Sequence, residues 1–147
     1  IDEGKLESFP DTMQFMLQAY WHNTPMSFAS SSTNAKRVLK SLPTHQFPRT
    51  PWEIFRGTGL YGKQPFPGKP APDIFVHAAH MLNKQPEQCM VLEDAVCGVE
   101  AAKTGGFYCV GIDRTGITDK LYDAGADIVY STIPTNAYTS LMRVRAA

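Results

Sequence analysis

The stretch VLEDAVCGVEAAKTGG, residues 91–106, decides the fold. Val91 and Leu92 close a short apolar run that begins at Cys89, and two acids, Glu93 and Asp94, follow it at once. The run has the length of a buried strand, and the segment behind the acids reads as a helix that closes at Gly105-Gly106. Adjacent carboxylates at a strand end repel each other unless a cation lies between them. Their hard oxygens suit Mg²⁺. A metal-assisted reaction also needs a nucleophile, and none is evident near the pair.

Outward from this unit the pattern repeats. Ahead of it, Asp73 is placed to cap a helix carrying Phe75, Ala78, Ala79 and Leu82 on one face. Behind it come a strand over Phe107 to Ile112, a short helix over Thr118 to Ala124 and a last strand over Ala126 to Tyr130. Near the start, Pro10 opens a helix whose Met13, Met16, Leu17 and Tyr20 follow the spacing of one buried face, stopping near Asn23-Thr24-Pro25. Met26 to Ala29 then reads as a strand that empties into Ser30-Ser31-Ser32-Thr33-Asn34, good helix caps ahead of AKRVLKSL. Residues 43–68, with Pro43, Pro48, Pro51, Pro65 and Pro67, read as a long irregular loop or an interrupted strand. Strands alternating with helices predict an α/β fold, a mostly parallel sheet with helices on both faces.

Composition narrows the partners. The 147 residues suffice for one domain, taken as residues 1–147. Fourteen basic and fourteen acidic residues cancel, so no net field draws the chain to nucleic acid or to an anionic membrane, and a small-molecule partner is expected. Cys89, Cys97 and Cys109 are scattered and odd in number, which suits reduced thiols in the cytoplasm. No secretory signal is evident, and no apolar run approaches the roughly 18 residues of a membrane span. The sequence begins at Ile1 and enters a helical pattern at Pro10, which sets the expectation that a preceding segment has been removed.

Ligands of open α/β sheets sit at the carboxyl ends of the strands. Ser30 falls there, Glu93-Asp94 fall there, and Lys69 stands in the segment GKPAPDIF. A hydroxyl beside helix N–H groups can accept a phosphate, a lysine can neutralise it, and a carboxylate pair can hold Mg²⁺. Each has a plainer reading as well: Ser30 as a helix cap, the acids as a cap or solvated turn, Lys69 as an exposed loop lysine, Asn34 as a capping residue. His77 and His80 lie one turn apart with no third ligand in sight, so they are not taken as a metal site.

In combination and order these residues resemble the haloacid dehalogenase superfamily of phosphotransferases, and within it the β-phosphoglucomutase-like group. The likeness runs from about Phe9 to Ile133. FASSSTNAKRVL looks like the group's second motif, with Ser30 and the adjoining Ser31 in the phosphate-binding position and Asn34 near a substrate phosphate. GKPAPDIF looks like the third, making Lys69 the lysine that steadies an aspartyl-phosphate. VLEDAVCGVEAAKTGG looks like the fourth, with Asp94 and Glu93 on Mg²⁺, and VGIDRTGITDKLYDAGADIVYSTI is similar to the last strands. The resemblance implies a Rossmannoid three-layer sheet. It also implies a first motif, Asp-x-Asp-Gly on the central strand, whose first aspartate attacks phosphorus and whose second acts as acid and base.

These 147 residues contain no such motif. The nearest candidate, Asp2-Glu3-Gly4-Lys5-Leu6, has no apolar strand before it, so IDEGKLESFPDT reads as the stretch that follows the family's helical cap domain. The sheet is therefore expected to lack its central strand, incomplete at its N-terminal side, with unpaired edges that favour self-association. The leading reading is the core of an Mg²⁺-dependent phosphatase or phosphomutase for a small phosphorylated substrate, plausibly a sugar phosphate. A non-catalytic relative that binds phosphate ligands or a partner chain is the alternative. An unrelated nucleotide-binding domain is disfavoured, because no glycine-rich fingerprint follows any strand.

Overall fold

The computed structural model describes residues 9–41, 55 and 59–146. The nearest first-motif candidate, at residues 2–6, and most of the proline-rich segment, 43–54 and 56–58, lie outside the described residues. Five strands are described: β1 (Phe28–Ser30), β2 (Gly59–Tyr61), β3 (Met90–Glu93), β4 (Tyr108–Ile112) and β5 (Ile128–Tyr130). Six α-helices accompany them: α1 (Pro10–Trp21), α2 (Ala35–Ser41), α3 (Asp73–Met81), α4 (Val96–Thr104), α5 (Thr118–Asp123) and α6 (Ala137–Ala146).

The strands β3, β4 and β5 form one parallel sheet in that order, Met90 facing Tyr108 and Val110 facing Ile128. Its middle strand is covered on both faces, as a parallel strand between helices must be. Alternate residues of β4 enter different cores. Cys109 joins Val91, Val99, Ala102, Phe107 and Leu121 on the side of α3, α4 and α5. Val110 and Ile112 join Phe15, Ala19, Tyr138 and Leu141 on the side of α1 and α6. The result is a three-layer α/β/α arrangement. Each large apolar side chain so removed from water contributes about 1.5–3 kcal/mol.

Local chemistry explains the element boundaries. α1 begins with proline at its first position, and it ends before Asn23, whose φ of 55° turns the chain away. α4 ends at Gly105, and Gly106 takes a φ of 84°, a conformation that costs any residue with a Cβ. Two expectations are corrected. Asp73 does not cap α3: it is the helix's first residue and Pro72 holds the cap position with no side-chain bond, so the acid acts through its charge near the N-terminus. The first strand occupies Phe28–Ser30 and not Met26 to Ala29. Of the two readings of residues 43–68, the interrupted strand is the one met at Gly59–Tyr61, where β2 pairs parallel with β1.

The pair β1-β2 is a separate sheet. Among the described residues no strand lies between β1 and β3, and their edges flank a cavity of about 460 Å³. Apolar side chains line it from both helical layers, Phe15 and Ala19 from α1 and Phe75 and Ala78 from α3, with Phe28 and Val91 at its strand walls.

Candidate active site

The third and fourth motifs meet at the carboxyl end of β3. Lys69 Nζ lies 2.6 Å from Glu93 Oε2, across 24 residues of sequence. Both side chains are sheltered, 15% and 9% exposed, and the ammonium also sits 4.7 Å from the centre of the Phe75 ring. A charge pair this sheltered needs its remaining hydrogen bonds filled. The other Glu93 oxygen, Oε1, accepts the backbone N–H groups of Asp94 and Ala95 at 3.0 and 3.1 Å. Lys69 is thus not an exposed loop lysine: the chain enters α3 through Lys69 and Pro70, and the side chain is aimed at the strand end.

Asp94 stands beside this pair, exposed, with no side-chain partner among the described residues. The two carboxylates differ in what they can offer a cation. Asp94 presents open oxygens, whereas Glu93 has both oxygens engaged, one by an ammonium and one by two amides. Among the described residues no cluster of three or more His, Cys, Asp or Glu side chains could hold a metal ion. The donor set could suit a hard cation in kind, with the open oxygens on Asp94. In number it needs further oxygens from water, substrate or another segment.

Ser30 ends β1, where its Oγ accepts the Ser32 N–H at 3.2 Å. Ser32 Oγ in turn accepts the Asn34 N–H at 3.2 Å, so the serine run forms two successive side-chain turns ahead of α2. Ser31 and Asn34 are exposed, their side chains without a hydrogen-bond partner among the described residues, and they face solvent at this strand end. His77 and His80 lie on the exposed face of α3, and His77 stacks on Phe66 with ring centres 4.4 Å apart.

Two carboxylates that the sequence did not single out are fixed nearby. Asp113, just past β4, accepts N–H groups from Thr115, Gly116 and Ile117 and the Thr118 hydroxyl. The Thr118 hydroxyl and the Ile117 amide, with the other two amides, outweigh burial and hold its carboxyl well below the ordinary range. Asp113 is therefore occupied in shaping its loop. Asp11 on α1 meets Arg114 through two oxygens, at 2.8 and 2.9 Å. Burial of Cys109, with Glu93 and Asp127 nearby, pushes its thiol up to about 12, so it is no nucleophile.

Comparison with known proteins points to a family. A family model for haloacid dehalogenase-like hydrolases matches residues 33–106. A bifunctional riboflavin kinase/FMN phosphatase of Arabidopsis thaliana is 29% identical over 129 residues, 88% of this chain and 33% of the relative. A β-phosphoglucomutase of Mycobacterium bovis is 36% identical over 112 residues, 74% of this chain and 41% of the relative. A solved structure from Bacteroides vulgatus, provisionally described as a β-phosphoglucomutase, superposes with a TM-score of 0.79 at 19% identity, over 96% of this chain and 56% of that one. At that identity the likeness speaks for the fold alone. The chain spans less than half of these two curated relatives and little more than half of the solved one.

Proposed function

Because this chain belongs to the haloacid dehalogenase-like hydrolases, in their β-phosphoglucomutase-like branch, we propose that it forms the core of a phosphoryl-transfer enzyme acting on a small phosphorylated substrate, a sugar phosphate first among the candidates. The observation that carries this reading is the Lys69–Glu93 contact beside Asp94, which brings two distant motifs together at one strand end. The β-phosphoglucomutase relative supports the substrate class.

In this reading Lys69 spreads the charge that grows on the transferring phosphoryl oxygens, and the Ser30 hydroxyl donates to another of them. Ser31 and Asn34 reach the substrate at the open side of the same strand end. Enzymes of this superfamily generally use Mg²⁺. Asp94, with Glu93 behind it, would hold the ion, which when bound offsets phosphate charge and orients the phosphoryl oxygens. The attacking carboxylate comes from an Asp-x-Asp-Gly strand, and the slot between β1 and β3 is where it would sit, parallel to both and apolar on both faces. Such a strand would also cover the two edges that otherwise favour self-association.

The engaged oxygens of Glu93 favour a second reading, in which residues 1–147 alone hold a phosphate ligand or a partner strand without turnover. Holding a phosphate equally in ground and transition states leaves the chemical step unchanged. Hydrolysis of an aryl phosphate and of hexose phosphates, with and without Mg²⁺, separates the two. Residues 1–147 alone should be inactive, and a longer polypeptide carrying an Asp-x-Asp-Gly strand upstream should be active. In the latter Lys69→Ala should lower the rate at least about a hundredfold, the scale of losing one preorganised charge-stabilising group. Mg²⁺-dependent turnover by residues 1–147, lost in Asp94→Ala, would place the nucleophile within this sequence and refute the slot assignment.

A further inference from the structure

Gly98 lies in the first turn of α4, buried, in an ordinary helical conformation. Nothing about its backbone calls for glycine, and glycine there costs stability relative to alanine. Its surroundings call for it. A Cβ at this position would lie 2.1 Å from Glu93 Cδ, 2.2 Å from Glu93 Oε2 and 2.3 Å from Glu93 Cγ. Carbon atoms in contact sit about 3.5–4.0 Å apart. Three atoms of one side chain would be overrun together, so no small shift relieves the clash.

Glu93 also has little freedom to swing aside where it stands. Its Oε2 is bound to Lys69, and its Oε1 accepts the N–H groups of Asp94 and Ala95. Leaving the space over Gly98 means abandoning all three contacts. Lys69 would then lose the anion that aims it, in a setting where it is mostly shielded from water.

We propose that Gly98 is a positioning residue: the side chain it lacks is the space into which Glu93 folds, and Glu93 seated there holds Lys69 at the end of β3. The role of Lys69 in phosphoryl transfer rests on the function proposed above, whereas the seating of Glu93 on Gly98 does not. A consequence is a division of labour between the adjacent acids. Glu93 is committed to the lysine by the shape of the helix beneath it, and Asp94 is left as the open oxygen donor.

The test uses residues 1–147 and needs no turnover, so its outcome is independent of the hydrolysis assay. Gly98→Ala, Glu93→Ala and the double variant are compared by thermal unfolding and by acylation of Lys69 with an amine reagent, read by mass spectrometry against exposed Lys120. Gly98→Ala should lower Tm by at least about 4 °C and raise Lys69 acylation to the level of Glu93→Ala, with Lys120 unchanged. In the Glu93→Ala background the same change should leave Lys69 acylation as it is and leave Tm equal or higher, since alanine then favours the helix with nothing to clash with. Protection of Lys69 retained in a folded Gly98→Ala protein, or an equal loss of Tm in both backgrounds, overturns the proposal. Should Gly98→Ala fail to fold, the double variant decides: its folding supports the proposal and its failure refutes it.

Discussion

Asp11 shows how single residues tie this molecule together. Its carboxylate accepts both Arg114 guanidinium nitrogens, the Ile133 N–H at 2.7 Å and the Thr12 N–H at 2.9 Å. Burial alone would raise its pKa; the hydrogen bonds from Arg114, Ile133 and Thr12 reverse this and hold it below the ordinary carboxylate value. Asp113 is depressed as well, by the Thr118 hydroxyl and its three amides. A carboxyl depressed in the folded state adds stability that is fully present above its unfolded pKa, near 4, and is lost as pH falls through the folded value. Unfolding free energy measured by urea should therefore decline steeply below about pH 4, and the decline should flatten in Asp11→Asn combined with Asp113→Asn. An acid limb parallel to that of the unsubstituted protein would mean that these carboxylates are not the ones being titrated. At neutral pH, Asp11→Ala should cost about 2–3 kcal/mol, because it strands a sheltered guanidinium. Neither residue was legible in the sequence. Asp11 and Arg114 are 103 positions apart, and nothing local marks either one. Glu93, Asp94 and Lys69 stood out because their flanking residues repeat a family pattern. Gly98 left a weaker trace, a glycine inside a helical pattern that pays for its presence in stability.

At the scale of the element, the helices and strands with sustained periodicity were legible, and the short ones were not. β2 has three residues, Gly59-Leu60-Tyr61, too few to show alternation, and it lies among prolines that argue against a strand. α6 was missed entirely. Its buried residues Ala137, Tyr138 and Leu141 fit one helical face, but the segment is short and mixed with polar residues, and only packing against α1 gives that face meaning. In α1 the stripe was placed a little off: Phe15 and Ala19 carry the contact with the sheet, while Met16, Leu17 and Tyr20 pack around Met13 at the side. The ending of α4 was legible because two glycines announce it. Gly106→Ala should cost about 1–2 kcal/mol, the penalty of a Cβ in the left-handed region, and appear as a lower Tm. An unchanged Tm would show that the turn into β4 can relax to another conformation.

At the scale of the whole molecule, the described residues form two sheet fragments, with the helices on either side of the slot packed against both. The fragment β3-β4-β5 contains β4, buried from Cys109 to Ile112, whereas the residues of β1 and β2 are all partly exposed. Local opening follows such differences. Amide hydrogen exchange should therefore be slowest in Cys109 to Ile112 and at least about tenfold faster in Phe28 to Ser30, a gap of roughly 1.4 kcal/mol in opening free energy. Equal protection in both fragments would mean that they open as one unit despite the slot. The α/β class and the segments that meet at the β3 end were legible from sequence; an expectation about what lies between β1 and β3 came only from the family resemblance, since a strand's own residues carry no mark of which neighbour it has. The strand registers bear on how the chain reaches this state. Met90 pairs with Tyr108 and Val110 with Ile128, each 18 residues along the chain, while Phe28 pairs with Gly59, 31 residues along. Shorter closures of this kind form sooner, so the C-terminal half can act as the folding nucleus, and β1 and β2 pair late, across the slot from a sheet that is already made.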